Sequence, residues 1–161
     1  MKNYQKGFTL IELLLYIAIA SIIVFTTASM LRFTLESRVK NQTIAEVEQE
    51  GAQVMQLITQ TVRNATAISS PTIGASGASL SVDTTVFDLS GGAIRIKEGA
   101  GAAVNLTSSK ITVSSLNFQN LSRVSTPNIV RVSFTVTYTN SSGRNEYDFT
   151  KSFYGSAGLR K

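Results

Sequence analysis

The feature that most constrains this chain is an apolar run near its N-terminus. Residues 8–31 contain one charged side chain, Glu12, and the 19 residues 13–31 contain none. As an α-helix, residues 13–31 would extend roughly 28 Å, close to the ~30 Å hydrocarbon core of a bilayer. The stretch is apolar on all sides, so we predict a membrane-spanning helix here.

The residues that flank this run predict whether it is retained in the mature protein and how it is oriented in the membrane. A secretory signal peptide has a shorter apolar core and an A-x-A-like cleavage site, whereas this run continues into a helical pattern, so we expect it to be retained. Lys2 and Lys6 precede it, which favours a cytoplasmic N-terminus and an extracytoplasmic C-terminal part. Arg32, Arg38 and Lys40 on the other side weaken that preference.

The following segment, residues 32–67, lacks proline and has an amphipathic pattern. Small or apolar side chains recur there at steps of three or four, namely Ile44, Val47, Gly51, Met55, Ile58, Val62 and Ala65. We therefore predict one helix over about residues 9–67, stopped by the Ser-Ser-Pro sequence at 69–71. A glycine inside a helix costs ~1 kcal/mol relative to alanine, so we interpret Gly51 as a point of close approach.

The C-terminal half has the composition and alternation of β-strands. Residues 72–79 predict a flexible connection. Strand-like runs then occupy 80–89, 93–99, 103–108, 110–124, 129–140 and 145–155, and the last two predict a hairpin through the turn at 140–143. The clearest run places Val130, Val132, Phe134, Val136 and Tyr138 on one face. We predict one antiparallel sheet with one buried face, covered by the apolar stripe of the helix.

The predicted fold class is therefore α+β, with a long N-terminal helix, transmembrane and then amphipathic, packed on a C-terminal antiparallel β-sheet head. The predicted division of the chain is a leader at residues 1–7, a transmembrane or filament-core helix at 8–31, an amphipathic half at 32–70 and a head at 71–161.

The composition argues against catalysis, metals and cofactors. The chain has no cysteine and no histidine, which removes disulfides, thiolate ligands and the commonest general base and metal ligand. Carboxylates in the C-terminal half could be calcium ligands, but no D-x-D-x-D-G loop groups them; they are Asp83, Asp88, Glu98, Glu146 and Asp148. We predict no enzyme, no metal site and no cofactor.

Nucleic acid is a weakly supported partner. Residues 68–161 hold nine basic and five acidic side chains within a chain of net charge +5, which is a mild bias rather than a polybasic patch. A DNA-contacting face would draw on Tyr138 and Tyr154 and on the basic residues Arg123, Arg131, Arg144, Lys151, Arg160 and Lys161. Solvated strand faces and a tail explain the same residues more simply.

The N-terminal sequence Gly7-Phe8-Thr9-Leu10-Ile11-Glu12-Leu13-Leu14 resembles the class III leader junction of type IV pilins and type II secretion pseudopilins. The resemblance implies that prepilin peptidase cuts after Gly7, that Phe8 becomes the N-methylated N-terminus, and that Glu12 is retained for assembly. It also implies other pilin subunits and an assembly platform as partners. The protein would be a single-pass membrane protein first, and then part of a cell-surface or periplasm-spanning filament.

Departures from the family pattern favour a minor pilin. Many members have proline where this chain has Ser29, and many major pilins have a disulfide-bounded loop that a chain without cysteine cannot form. The predicted function is a structural, minor pilin-like subunit. The alternatives are a type II secretion pseudopilin, a competence-type pilin with a DNA-binding head, and, least supported, an enzyme on a membrane stalk.

Glu12 has a physical role under this interpretation. A carboxylate in a membrane helix costs up to roughly 2.5–3.5 kcal/mol at the centre and less near an end, so it needs a partner. Cleavage after Gly7 would create an amine on Phe8, and the amine of a neighbouring subunit could pair with Glu12 and set the packing register. The alternative is a lone carboxylate favoured by the helix dipole.

Overall fold

The computed structural model describes Gly7, residues 9–124 and residues 127–160. One long helix, α1, spans Leu10–Asn64, close to the predicted 9–67. The chain divides into two compact units, Met1–Val39 and Lys40–Lys161, which are described separately. The first unit holds the N-terminal part of α1, and the second holds its remainder together with the strands.

The strands follow α1 in the order β1 to β9. They are β1 Ile68–Ser70, β2 Ser76–Gly77, β3 Leu80–Val82, β4 Thr85–Ser90, β5 Ala93–Glu98, β6 Val104–Asn105, β7 Ile111–Asn120, β8 Ile129–Tyr138 and β9 Thr150–Gly158. A short 3-10 helix, Asn145–Tyr147, precedes β9, so the strand predicted from residue 145 begins at Thr150. The fold class predicted from the sequence, α+β with antiparallel pairing, is confirmed.

The prediction of a single sheet is wrong, because the strands form two antiparallel sheets. One has the order β1-β3-β4-β5-β6 and the other β2-β7-β8-β9. The run 80–89 is two strands because Asp83 takes a left-handed conformation (φ 47°) and reverses the chain between β3 and β4. Residues 72–79, predicted as a flexible connection, contain β2, which pairs with Gln119 and Phe118 of β7.

α1 ends earlier than proline at position 71 predicts, and the cause is Asp83. Its carboxylate accepts hydrogen bonds from the backbone N–H groups of Thr66 (2.9 Å) and Ala67 (2.9 Å) and from the Thr66 hydroxyl (2.7 Å). These N–H groups can no longer donate to carbonyls of the preceding turn, so the helix stops at Asn64. The same hydrogen bonds lower the pKa of Asp83, and the bond from the Thr66 hydroxyl contributes most.

One hydrophobic core joins α1 to both sheets. The predicted face of β8 is confirmed: Val130, Val132, Phe134 and Val136 are buried, and Tyr138 is half-buried. The helix stripe is close to the predicted one but includes other residues. The structure buries Thr43, Val47, Gly51, Val54, Ile58 and Val62 of α1, together with Ala65. Ile44 and Met55 are only half-buried.

Gly51 is a point of close approach, as predicted. A Cβ built there would overlap the ring of Phe153 in β9, and this ring also stacks on Phe134 of β8, with 5.4 Å between the ring centroids. Only a residue without a side chain lets the helix approach the sheet this closely. Gly51 therefore sets the distance between α1 and the four-stranded sheet.

Polar contacts flank this packing on both sides of the helix stripe. Lys110 pairs with Glu46 (2.9 Å), Lys151 pairs with Glu48 (2.6 Å), and Ser108 donates to Glu50 through its hydroxyl (2.6 Å). The Glu46 carboxylate raises the pKa of Lys110. Because the pairs are largely exposed, each contributes little to stability, but together they fix how α1 is rotated on the sheet.

Candidate functional site

The residues predicted to carry function lie at the start of α1. Gly7 is exposed, and a Cβ built on it would meet nothing within 4 Å. Phe8 lies outside the described residues. Glu12 is in the first turn of α1 and is half-buried. The described part of this site is therefore an open glycine followed, five positions later, by a carboxylate.

Thr9 caps the helix that carries Glu12. The Glu12 N–H donates to Thr9 Oγ1 at 3.4 Å, and the Leu13 N–H donates to the Thr9 carbonyl at 3.2 Å. The sequence Thr9-Leu10-Ile11-Glu12 has the T-x-x-E spacing of a capping box, a signal that the sequence analysis did not use. The cap places Glu12 in the first turn, where the helix dipole favours a negative charge.

Tyr16 is the described side-chain partner of the Glu12 carboxylate. Its hydroxyl donates to Glu12 Oε1 over a long 3.4 Å, from one turn further along α1. This i, i+4 spacing was visible in the sequence but was not predicted as a contact. A neutral hydroxyl orients the carboxylate but does not cancel its charge, so Glu12 still favours a cationic partner.

The N-terminal part of α1 exposes its apolar side chains on every side. Ile22, Phe25 and Phe33 are 63%, 74% and 74% exposed. By length and composition α1 qualifies as a membrane span, with a stretch of mean hydropathy 2.3. The described residues of the chain supply no cover for this surface, which is of the kind that a bilayer or a bundle of helices covers.

Hydroxyl side chains in this segment bond to their own helix. Each donates to a carbonyl three or four residues earlier; they are Ser21, Thr26, Thr27, Ser29 and Thr34. Ser29, at the position where many pilins have proline, donates to the Phe25 carbonyl at 2.9 Å. The helix continues through it unbroken, and its polar groups are satisfied in a form that suits an apolar medium.

The candidate calcium ligands are not brought together. Asp88 binds Arg95 (2.7 Å) and Glu146 binds Arg144 (2.7 Å), and these guanidinium groups lower the pKa of each carboxyl. Asp83 caps α1, and Asp148 accepts from the Asn140 side chain at 2.6 Å. Among the described residues, no three acidic side chains are close enough to hold a metal ion.

The candidate DNA-contacting residues are also dispersed. Lys151 is on the helix side of β9, paired with Glu48, and Tyr138 stacks on Tyr147 with 5.8 Å between ring centroids. Arg131 and Tyr154 do meet, as both line one recess on the outer side of the four-stranded sheet. Lys161 lies outside the described residues. Two of the predicted residues thus share a surface.

Comparison with known families decides the nature of the N-terminus. Residues 2–28 match the family model described as the prokaryotic N-terminal methylation motif. The N-terminal segment is of the prepilin type. This motif is the hallmark of type IV pilin and pseudopilin prepilin-like proteins, a family of structural subunits. In general, the motif implies assembly with other pilins and a membrane-associated prepilin peptidase.

The match covers the prepilin segment and ends before the head. No curated protein and no solved structure matched the chain. The motif and the exposed apolar helix fit a membrane-anchored protein that is later exposed at the surface, and they support a pilin-like or pseudopilin structural role.

Proposed function

We propose that this protein is a minor pilin-like structural subunit of a type IV pilus or a related filament. It is inserted in the membrane with its N-terminus in the cytoplasm and its head outside, cleaved after Gly7, N-methylated on Phe8 and assembled through α1. The observation that carries the proposal is the prepilin-type segment at residues 2–28, which includes the start of a helix whose apolar side chains are exposed. The motif is shared with pseudopilins, so a secretion filament is included.

The proposed chain has four functional segments. Residues 1–7 are the leader, residues 8–31 are the membrane and filament-core helix, residues 32–70 are the amphipathic half, and residues 71–161 are the head. Openness around Gly7 supports cleavage at that point, since a peptidase needs an extended and unhindered backbone.

Glu12 is proposed to pair with the N-terminal amine on Phe8 of a neighbouring subunit. Its half-buried carboxylate has a long contact with the neutral Tyr16 hydroxyl and no ion pair with another described residue. In a surrounding of low dielectric constant, a charge without a counter-ion costs several kcal/mol. An ion pair with a neighbouring amine offsets that cost. Subunits would then add with one register relative to each other.

The deciding experiment is intact mass and N-terminal sequencing after expression with and without a prepilin peptidase. Loss of residues 1–7 and a start at methylated Phe8 are expected only with the peptidase. A Gly7→Leu variant should remain uncut, because the bulky side chain obstructs the scissile bond. A chain that still starts at Met1 with active peptidase, verified on another prepilin, would contradict the proposal.

A second variant separates assembly from processing. Glu12→Gln keeps the shape of the side chain and removes its charge, so it should still be cleaved and methylated but incorporate poorly into sheared filaments. Tyr16→Phe removes the hydroxyl contact and keeps the charge, so it serves as the matched control and should assemble. Equal incorporation of Glu12→Gln and Tyr16→Phe would remove the charge-pairing role.

A further inference from the structure

Strand β9 is much longer than the other edge strands of the head. The two sheets end in four edge strands, β1, β6, β2 and β9. The first three contain three, two and two residues, whereas β9 contains nine. At about 3.4 Å per residue, β9 presents an edge roughly 30 Å long. Short edge strands are one way in which proteins avoid unwanted pairing, and β9 does not use it.

The backbone groups that β9 directs outward follow from its pairing with β8. The Tyr138 N–H donates to the Phe149 carbonyl (3.0 Å), and the Leu159 N–H donates to the Asn128 carbonyl (2.9 Å). In an antiparallel pair the bonded positions alternate, so the odd-numbered residues of β9 bond to β8. The even-numbered residues direct their N–H and C=O groups to the free edge: Thr150, Ser152, Tyr154, Ser156 and Gly158.

β9 also lacks two other features that protect an edge, a proline and a bulge. It has no proline, and its register with β8 runs without a shift from Thr150 to Gly158. Its one charged side chain, Lys151, is on the helix side and is paired with Glu48. An edge lysine or an inward-pointing charge can discourage pairing, but the ion pair with Glu48 offsets the charge of Lys151. The side chains of the residues that direct their backbone groups outward are all uncharged, so the edge remains open to an incoming strand.

The surface beside this edge is suited to an acidic segment. Arg131 of β8 stands opposite Ser156 of β9, is exposed and has no ion pair among the described residues. Ser156 has a small side chain, and Arg131 lies one strand in from the free edge of β9. Arg131, Tyr154, Gly155 and Ser156 line a recess of 370 Å³, where a carboxylate from an added strand could meet Arg131.

No strand edge in the described chain fits this description. The sequences of β1, β2 and β6 are ISS, SG and VN, and β9 itself is TKSFYGSAG, so none contains an acidic residue. Pairing of β9 with β9 of a second copy would leave Arg131 without a carboxylate. We propose that the free edge of β9 binds an extended, acidic segment of a different protein by β-strand addition. This inference does not depend on processing at Gly7.

The test uses the full-length chain in detergent micelles and a fluorescent nine-residue peptide. The peptide alternates threonine and valine, with glutamate at two threonine positions, and a matched peptide has lysine at those positions. Fluorescence anisotropy should show binding of the glutamate peptide, weakened by salt, and about tenfold weaker binding of the lysine peptide. Arg131→Gln should remove most of that preference.

Two variants at Ser152 test the backbone pairing. Ser152→Pro removes the outward N–H, whereas Ser152→Val keeps it, and both lose the hydroxyl contact with Thr135 (2.9 Å). Because proline is tolerated where the N–H points away from the sheet, both should fold. Ser152→Pro should bind about five- to tenfold more weakly than Ser152→Val. Equal binding by these variants, equal binding of the two peptides, or no binding of the glutamate peptide would overturn the proposal.

Amide hydrogen exchange on the unsubstituted chain gives a readout that needs no variant. Saturating glutamate peptide should slow exchange at Ser152, Tyr154 and Ser156, with little change at Phe153 and Gly155, which already bond to β8. Uniform or absent protection would overturn the proposal. So would a concentration-dependent dimer that Ser152→Pro abolishes, since this would assign the edge to a second copy.

Discussion

In residues 10–31 of α1 the apolar side chains occur on every side of the helix, whereas in residues 40–64 they occur mainly on one side. The apolar side chains of the first segment are all exposed, with Phe25 74% exposed. The second buries a stripe that includes Val47, Ile58 and Val62, all fully inaccessible. The more hydrophobic segment is thus the one that the described residues of the chain do not cover.

This contrast shows what each pattern specifies. A one-sided apolar stripe can be buried by a single sheet, so the second segment can be packed by strands of its own chain. An all-round apolar surface cannot be covered by one neighbouring element, and it needs a solvent or a bundle of helices as its partner. Substitutions in the two segments should therefore affect different properties of the protein.

The largest effect is expected from charges placed in the first segment. Two arginines, Ile19→Arg with Ile22→Arg, should release the chain from membranes, because each costs about 2.5–3.5 kcal/mol near the centre of a membrane helix. The measurement is the fraction of chain that remains with membranes after alkaline extraction. The same variant should leave the unfolding temperature of the head unchanged in detergent.

Ile19→Leu with Ile22→Leu is the matched control and should remain in the membrane fraction. Full membrane retention of the arginine variant would contradict the assignment of residues 8–31 as a span. A lowered unfolding temperature of the head would show that the two segments are energetically coupled.

The next largest effect is expected from shortening a buried side chain in the second segment, which should affect the stability of the head and not membrane retention. Ile58 is completely buried, so Ile58→Ala should lower the free energy of unfolding of the head by about 2–5 kcal/mol, measured by denaturant titration in detergent. Membrane retention should not change. An effect below about 0.5 kcal/mol, the range of surface substitutions, would mean that the stripe does not pack as described.

The contact of Gly51 with Phe153 predicts a smaller effect of unexpected sign. Alanine is the better helix former by ~1 kcal/mol, but its Cβ would overlap the Phe153 ring, and overpacking costs about 1–3 kcal/mol. Gly51→Ala should therefore destabilise the head by about 1 kcal/mol in denaturant titrations. Adding Phe153→Leu should recover part of this loss, whereas stabilisation by Gly51→Ala alone would contradict the close approach.

Much of the helix could be predicted from the sequence, and much of the sheet arrangement could not. The periodicity at Val47, Ile58 and Val62 comes from local spacing, and so does the face of β8. The division of the run 80–89 into β3 and β4 depends on a left-handed Asp83, and its carboxylate ends α1 from 17 residues away. A bond of this kind leaves no periodic signal in either segment.

The candidate site shows the same division between short motifs and tertiary contacts. Gly7 and Glu12 could be identified because the motif around them is contiguous. Thr9 and Tyr16 can also be identified from the sequence, since a capping box and an i, i+4 pair are local patterns. The pairing of Arg131 with the β9 edge cannot, because it depends on the register of two strands and on which strand ends the sheet.

The smallest expected effect concerns Asp83, which ends the buried part of α1. Its hydrogen bonds lower its pKa relative to an unfolded chain, so its contribution to stability is present above the unfolded pKa, about 3.9, and is lost as the pH falls through the lower folded value. Asp83→Asn tolerates the left-handed backbone but removes the charge. It should therefore lower the unfolding temperature at about pH 7, and the difference from the unsubstituted chain should shrink towards about pH 3.

Glu98→Gln changes an exposed carboxylate without a described side-chain bond, so it should follow the unsubstituted chain across this range. If Asp83→Asn and Glu98→Gln gave the same pH profile in circular dichroism melts, the Asp83 cap would not stabilise the end of the helix.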